Sequence, residues 1–422
     1  MVKTEYYPRI IDKKIESGLK LIGALCLEGV KYCGKTRTCE HFAKTSFKFQ
    51  DLSKREMYKN YVFNSNEKLF NNKTPILFDE WQEIPEIWDL VRNYVDEKRG
   101  PFLLTGSSSA KEGIVSHTGT GRIGRLKMRT MSLYESGESS GEVSLSDLFN
   151  KKLNIAFESK KELEDIAYYI VRGGWPDKVN MNEKDAIESL EYYYESLINS
   201  DIQSIDGVKR NPNIANALLK SFSRNLSTLA KYTTILEDMK NNGNEITMVT
   251  LDDYINTFEK LYVVENIKAW SPKIRSKYAI RTADKKELVD PSLACVSLGI
   301  TTEHLINDWR TFGFMFEAMV LRDLRIYIES LGGELFHYKD QSDLEVDAIL
   351  TLKDGSWGAV EVKLGSDPEV IEKASESLFK LSESIDTKYF KKPSFLMIIT
   401  GGKSAYKTDK GVFVVPITIL KN

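Results

Sequence analysis

An excess of charge of either sign is missing from this 422-residue chain: 59 Lys and Arg stand against 61 Asp and Glu, a formal net of -2. That balance argues against a protein whose whole surface binds a polyanion and leaves room only for a local basic face. Long apolar runs are missing too. No stretch of about 18 or more apolar residues is present to cross a bilayer, and the start, "MVKTEYYPRIIDKK", lacks the basic, apolar, small-residue order of a secretion signal. The chain therefore reads as soluble and cytoplasmic, without a membrane partner. Cysteine is scarce: Cys26, Cys33, Cys39 and Cys295 show no CxxC spacing, which suggests neither a disulfide framework nor a zinc site, and reduced thiols are expected. What the chain does have is length, too much for one core and enough for two or three domains.

Within "CLEGVKYCGKTRT", Gly29 is followed after four residues by Gly34-Lys35-Thr36, the G-x-x-x-x-G-K-[ST] phosphate-loop pattern. "GALCLEG" before it reads as a buried strand, and "RTCEHFAKT" after it can carry a helix. Glycines let backbone N–H groups turn toward phosphate oxygens, and the helix N-terminus adds its positive end. Lys35 neutralises the β and γ phosphates, and Thr36 offers a hydroxyl to Mg2+. Gly29, Cys33, Gly34, Lys35, Thr36 and Arg37 make up the expected nucleotide-contact set, with ATP and Mg2+ as cofactors.

Such a site also needs carboxylates at the end of a neighbouring strand, and "PILFDEWQEIP" supplies Asp79-Glu80 after four apolar residues. Asp79 would hold the Mg2+ shell and Glu80 would polarise the attacking water. A third strand, "PFLLTGSSS", ends in hydroxyl residues, of which Ser107 is the expected γ-phosphate sensor. Arg122 and Arg125 follow glycine-rich turns, and either could meet transition-state charge in its own or a neighbouring subunit.

The series "GVKYCGKT", "PILFDEWQEIPEIWDLVRNYVD", "GPFLLTGSSS", "GTGRIGRLKMRTMSLYESGE" and "VRGGWP" resembles archaeal and bacterial AAA-type ATPases that carry a C-terminal DUF4143 region. The resemblance assigns "VRGGWP" to lid-like helices after the ATPase core. Arg172 there could lean on the nucleotide or serve a structural hinge.

Between residues 135 and 150 "ESGESSGEVSLSDLF" reads as an exposed turn. From Asn213 to Asp284, three helical runs precede two strand-like runs, the order of a winged helix-turn-helix. Leu251, Ile255, Phe258 and Leu261 fall at helical spacing as core. Lys268, Lys273, Arg275, Lys277 and Arg281 form a basic strip that could follow a phosphate backbone, while Asp252, Asp253 and Glu259 on the third helix would repel one. DNA contact competes there with a packing or dimerising role.

Farther on, "FGFMFEAMVLRDLRIYIESLG" reads as an amphipathic helix, followed by strands "ELFHYKD", "LEVDAILTL" and "WGAVEVKLG". Asp347, then Glu361-x-Lys363 on the next strand, is a set that a Mg2+-dependent phosphodiesterase requires, with Glu317 able to complete the metal shell and Lys363 as the catalytic lysine. The ordered set resembles the PD-(D/E)xK nuclease-like fold, with Val346 where that motif has proline. Cleavage, nucleic-acid binding without cleavage, and a structural remnant all remain open.

The expected architecture is α/β: an AAA/ASCE-type P-loop NTPase core (1–150), a helical lid (151–210), a winged-helix module (211–310) and a restriction-endonuclease-like α/β domain (311–422). The expected function is a Mg2+-dependent ATPase coupled to a DNA-acting C-terminal module. The alternative is a nucleotide-dependent switch or scaffold that binds a protein partner, with a homo-oligomer also open.

Overall fold

The computed structural model describes residues 6–106, 118–152, 156–271, 282–388 and 390–422. Ser107 and the wing residues Lys273, Arg275, Lys277 and Arg281 lie outside the described residues. The chain groups into two compact units. The first comprises Met1–Thr130, Ser200–Lys209 and Thr257–Val263, and the second Met131–Asn199, Arg210–Asn256 and Val264–Asn422.

In the first unit, strands β1 (Ala24–Glu28), β2 (Thr45–Lys48), β3 (Ile76–Asp79), β4 (Phe102–Gly106) and β5 (Ile123–Lys127) form a parallel sheet ordered β2-β3-β4-β1-β5. The central strands are continuous apolar runs because helices cover both faces of a parallel sheet. Phe78, Phe102, Phe70 and Tyr94 pack into one aromatic cluster, with Phe70 and Tyr94 stacked at 3.9 Å between ring centroids. β4 lies between β1 and β3. The carboxyl ends of β1 and β3 therefore flank that of β4, at the edge of the sheet where α/β folds place their ligands. Ile202, Ile205, Leu261 and Val263, from stretches that the sequence assigns to the lid and the winged-helix module, are buried in this unit.

The second unit is built on a mixed seven-stranded sheet. Short strands β6 (Val143–Ser144) and β14 (Leu420–Lys421) pair separately, and the seven strands of the sheet are β7 (Phe157–Glu158), β8 (Glu334–Lys339), β9 (Glu345–Thr351), β10 (Trp357–Lys363), β11 (Phe395–Thr400), β12 (Ser404–Lys407) and β13 (Phe413–Pro416). The order is β7-β12-β13-β11-β10-β9-β8, with β8, β9 and β10 antiparallel and β10, β11 and β13 parallel. Helix Pro368–Ser384 makes the crossover from β10 to β11 and buries Ile371, Leu378 and Leu381 against Val346, Ala359 and Ile398. Three helices, Pro212–Arg224, Tyr232–Asn241 and Met248–Lys260, precede isolated antiparallel bridges, Val264 to Leu288 and Ile267 to Lys285. Leu251 and Ile255 of this unit, and Phe258 and Leu261 of the first, are buried, as their spacing implies.

Two expectations change. Helix Trp309–Ser330 is not amphipathic but buried nearly all round, including Arg322 and Asp323, because β8 and β10 cover one side and helices Leu163–Arg172 and Thr302–Asn307 another. The stretch read as an exposed turn at 135–150 is largely buried as well. Its polar groups are satisfied internally: Ser139 Oγ donates to the Leu420 carbonyl at 2.7 Å, and the Ser132 N–H reaches Glu135 at 2.8 Å.

The "VRGGWP" segment lies within the second unit. Gly174 N–H donates to Asp290 at 3.0 Å, Trp175 Nε1 to Ser292 at 2.9 Å, and Arg322 closes the network on Asp290 and Asp323. A Cβ on Gly174 would lie 2.1 Å from the Met131 carbonyl oxygen. Gly174→Ala is expected to destabilise the second unit by about 2 kcal/mol or more through forced backbone displacement. An unchanged thermal unfolding profile would contradict that close approach.

Candidate functional site

The phosphate loop runs from β1 into helix Lys35–Phe42. Gly29 has φ 154°, and a Cβ there would lie 2.0 Å from the Met128 carbonyl oxygen, so glycine is required by space as well as conformation. Gly34, at φ 105°, caps the helix. Lys35 is buried, and its Nζ donates to the carbonyls of Gly29 and Val30 at 2.9 and 2.8 Å, which curls the loop around the ammonium. Arg9, which sequence reasoning missed, braces the loop from behind: its guanidinium donates to Cys33 O at 2.8 Å and Arg129 O at 2.9 Å. It lies upstream of the motif without a local signal.

At the end of β3 the Asp79 side chain is fully buried. Thr36 Oγ1 donates to its Oδ1 at 2.7 Å and Thr105 Oγ1 to the same oxygen at 2.6 Å. Asp79 Oδ2 is buried with no hydrogen-bond partner among the described residues. A buried, unsatisfied carboxylate oxygen next to a hydroxyl matches the hard-oxygen surroundings of Mg2+, so Thr36 and Asp79 fit that ion. Glu80 follows in the left-handed region at φ 53°, with its N–H held by Thr105 Oγ1 at 3.1 Å. Thr105, which was passed over in favour of Ser107, thus links β3 to β4. Its signal was present, a threonine at the carboxyl end of the central strand.

The arginines are placed differently from one another. Arg122 stands at the amino end of β5, across the sheet from the loop, and pairs with Asp96 at 2.8 Å. Parallel pairing therefore keeps it from this chain's own phosphate loop. Arg125 pairs with Glu28, the residue before Gly29, and lies over the Trp88 ring at 4.9 Å. Arg37 is exposed beside Glu40. Arg172 is buried in the second unit, with its guanidinium on Glu138 and on the carbonyls of Gly173 and Val179, which is a structural role.

In the second unit, Glu317, Asp347, Glu361 and Lys363 meet. Lys363 Nζ lies 2.5 Å from Glu361 and 3.2 Å from Asp347, and Asp347 also accepts the Val362 N–H at 2.8 Å. A residue not foreseen joins them: Lys285, buried, with Nζ at 2.5 Å from Glu317 and 3.4 Å from Asp347. The two ammonium groups and the Val362 N–H hold the Asp347 carboxyl well below the usual carboxylate range, while burial and the Asp347 charge push Glu317 up to about 7 and raise Glu361 as well. Glu317, Asp347 and Glu361 do not gather as a metal-holding set, and no such cluster exists among the described residues. Lysine nitrogens stand between the carboxylates that were expected to share a cation. Nothing local in the sequence marks the burial of Lys285.

Residues 23–137 match a family model described as an AAA domain, 163–304 a domain of unknown function, DUF8612, and 312–420 another, DUF4143. Among solved structures, a Walker-type ATPase of Pyrococcus abyssi is 14% identical over 70% of this chain and 97% of its own, with a TM-score of 0.43. A Thermotoga maritima RuvB variant is 13% identical over 60% and 88%, at 0.28. Drosophila ORC bound to DNA is 10% identical over 71% and 89%, at 0.25. No curated relative matches the sequence. No helix among the described residues is long and apolar enough to cross a membrane.

Beside the lysine-bridged carboxylates, Glu287 is buried and takes a hydrogen bond from Ser227 at 3.0 Å. Burial, reinforced by the Glu317 charge, lifts its carboxyl from 4.5 to about 8. A carboxyl raised in the folded state contributes stability that is complete below about 4.5 and is lost as pH rises through about 8. Relative to Glu287→Gln, the native chain should lose about 2 kcal/mol or more across that window in urea unfolding. Parallel pH curves for the two proteins would contradict it.

Proposed function

We propose that this chain, an AAA-type ATPase with a C-terminal DUF4143 region, binds ATP with Mg2+ at its phosphate loop, hydrolyses it, and uses the nucleotide state as a switch on its second unit. The observation that carries the reading is the Asp79 carboxylate, one oxygen bonded by Thr36 and Thr105 and the other buried and unsatisfied. Bound there, Mg2+ would neutralise developing phosphate charge. Lys35 holds the β and γ phosphates, Glu80 accepts a proton from the attacking water, and Thr105 fixes the backbone that aims Glu80. Ser107 keeps its proposed sensor role, and Arg122 would serve only a nucleotide on a neighbouring copy in a homo-oligomer.

For the second unit we favour binding over cleavage. Metal-dependent phosphodiester cleavage needs carboxylates free to hold the cation, and Lys285 and Lys363 already engage Glu317, Asp347 and Glu361 in ion pairs. A protein partner is the first reading of what this unit binds. A DNA-acting module, with a winged-helix arrangement and a nuclease-like domain, is the second reading. It is supported by the convergence of the four nuclease-type residues and by the three helices that precede the bridged 264–288 arms.

Lys35→Ala should abolish ATP binding, and Glu80→Gln should retain Mg-ATP while losing about 100-fold or more of turnover. Turnover measured with and without duplex and single-stranded DNA separates the two readings of the second unit. Stimulation by DNA, or manganese-dependent nicking lost in Asp347→Ala, would favour the DNA reading. Full activity in Lys35→Ala and Glu80→Gln would contradict the ATPase reading.

A further inference from the structure

Resting on that ATPase reading, we infer that Asp201 and Tyr262 are positioning residues for the phosphate loop, and that a bound nucleoside triphosphate competes with Asp201 for Lys31. Lys31 lies within the loop, between Gly29 and Gly34, and its Nζ is 2.7 Å from Asp201 Oδ1. Asp201 ends a π-helical turn, Leu197–Asp201, and the chain just after it is anchored by buried Ile202 and Ile205. Single π-turns interrupt regular helices at a cost and are frequent at functional positions.

The second grip is at the other side of Gly29. Tyr262 Oη donates to Glu28 Oε2 at 3.1 Å, and Tyr262 holds a left-handed backbone at φ 60° between buried Leu261 and Val263. A tyrosine held in that region stores strain that its surroundings must offset. Burial and the Glu28 carboxylate raise its phenol, so it stays a donor. All of these contacts lie within the first unit. The two gripping segments, Ser200–Lys209 and Thr257–Val263, continue at each end into residues of the second unit. A change in the loop is therefore passed into the rest of the chain by covalent connection.

An anionic triphosphate in the loop attracts Lys31 by the same charge as Asp201 does, and the ammonium serves one of them well at a time. Removing the Asp201 charge removes that competition. In the full-length chain, Asp201→Asn should tighten Mg-ATP binding by about fivefold in calorimetry, the equivalent of one partly exposed ion pair. Asp201→Glu, which keeps the charge, should return affinity to the native value, a rescue that a merely structural role would not give. In the native chain, Mg-ATP should also raise amide hydrogen exchange across residues 200–209, a measurement that needs no variant. Unchanged or weaker ATP affinity in Asp201→Asn, or exchange at 200–209 that ATP leaves unaltered or slows, overturns the inference while leaving the ATPase reading intact. Failure of the native chain to bind Mg-ATP overturns both.

Discussion

The buried Asp79 carboxylate is the constraint on which the first unit depends. A carboxylate taken out of water is costly unless its oxygens are bonded, and here one oxygen of the β3 residue Asp79 is bonded from two other pieces of chain, the phosphate-loop helix through Thr36 and the central strand through Thr105. The same threonine holds the Glu80 N–H. Ligand chemistry and sheet order are thus one problem. If β4 did not lie between β1 and β3, the two hydroxyls could not converge on one oxygen. The apolar runs of the three strands fix that order by burying their side chains under helices on both faces.

The second unit solves a related problem with opposite means. Its buried acids are answered by buried bases, Glu317 and Asp347 by Lys285, and Asp290 and Asp323 by Arg322. Breaking one member of such a pair leaves an uncompensated charge in the interior, which is far more costly than the pair is stabilising. The arrangement ties helix Trp309–Ser330 to strands and loops distant in sequence. It suits a unit that must keep its shape.

Much of this was legible in the sequence. The phosphate loop and the acidic pair after an apolar strand rest on local patterns, and these survive folding because each is a strand or helix terminus. The strands carrying Asp347, Glu361 and Lys363 were legible for the same reason. What escaped was long-range. Arg9, Lys285 and the gripping residues Asp201 and Tyr262 take their roles from partners far along the chain, and no spacing rule marks them. The buried serine-rich stretch after Met131 misled because its hydrogen bonds go to distant carbonyls such as Leu420. The burial of Arg322 and Asp323 made an apparently amphipathic helix central. Composition describes which groups are polar; only topology says which of them are paired.

The most direct test of the account is calorimetric titration of the intact chain and of Asp79→Asn with ATP, each with and without Mg2+. Mg2+ is expected to tighten binding to the native chain and to have little effect on Asp79→Asn, because the buried, unsatisfied oxygen proposed to meet the ion would lose its charge. Equal dependence on Mg2+ in the two proteins would contradict it.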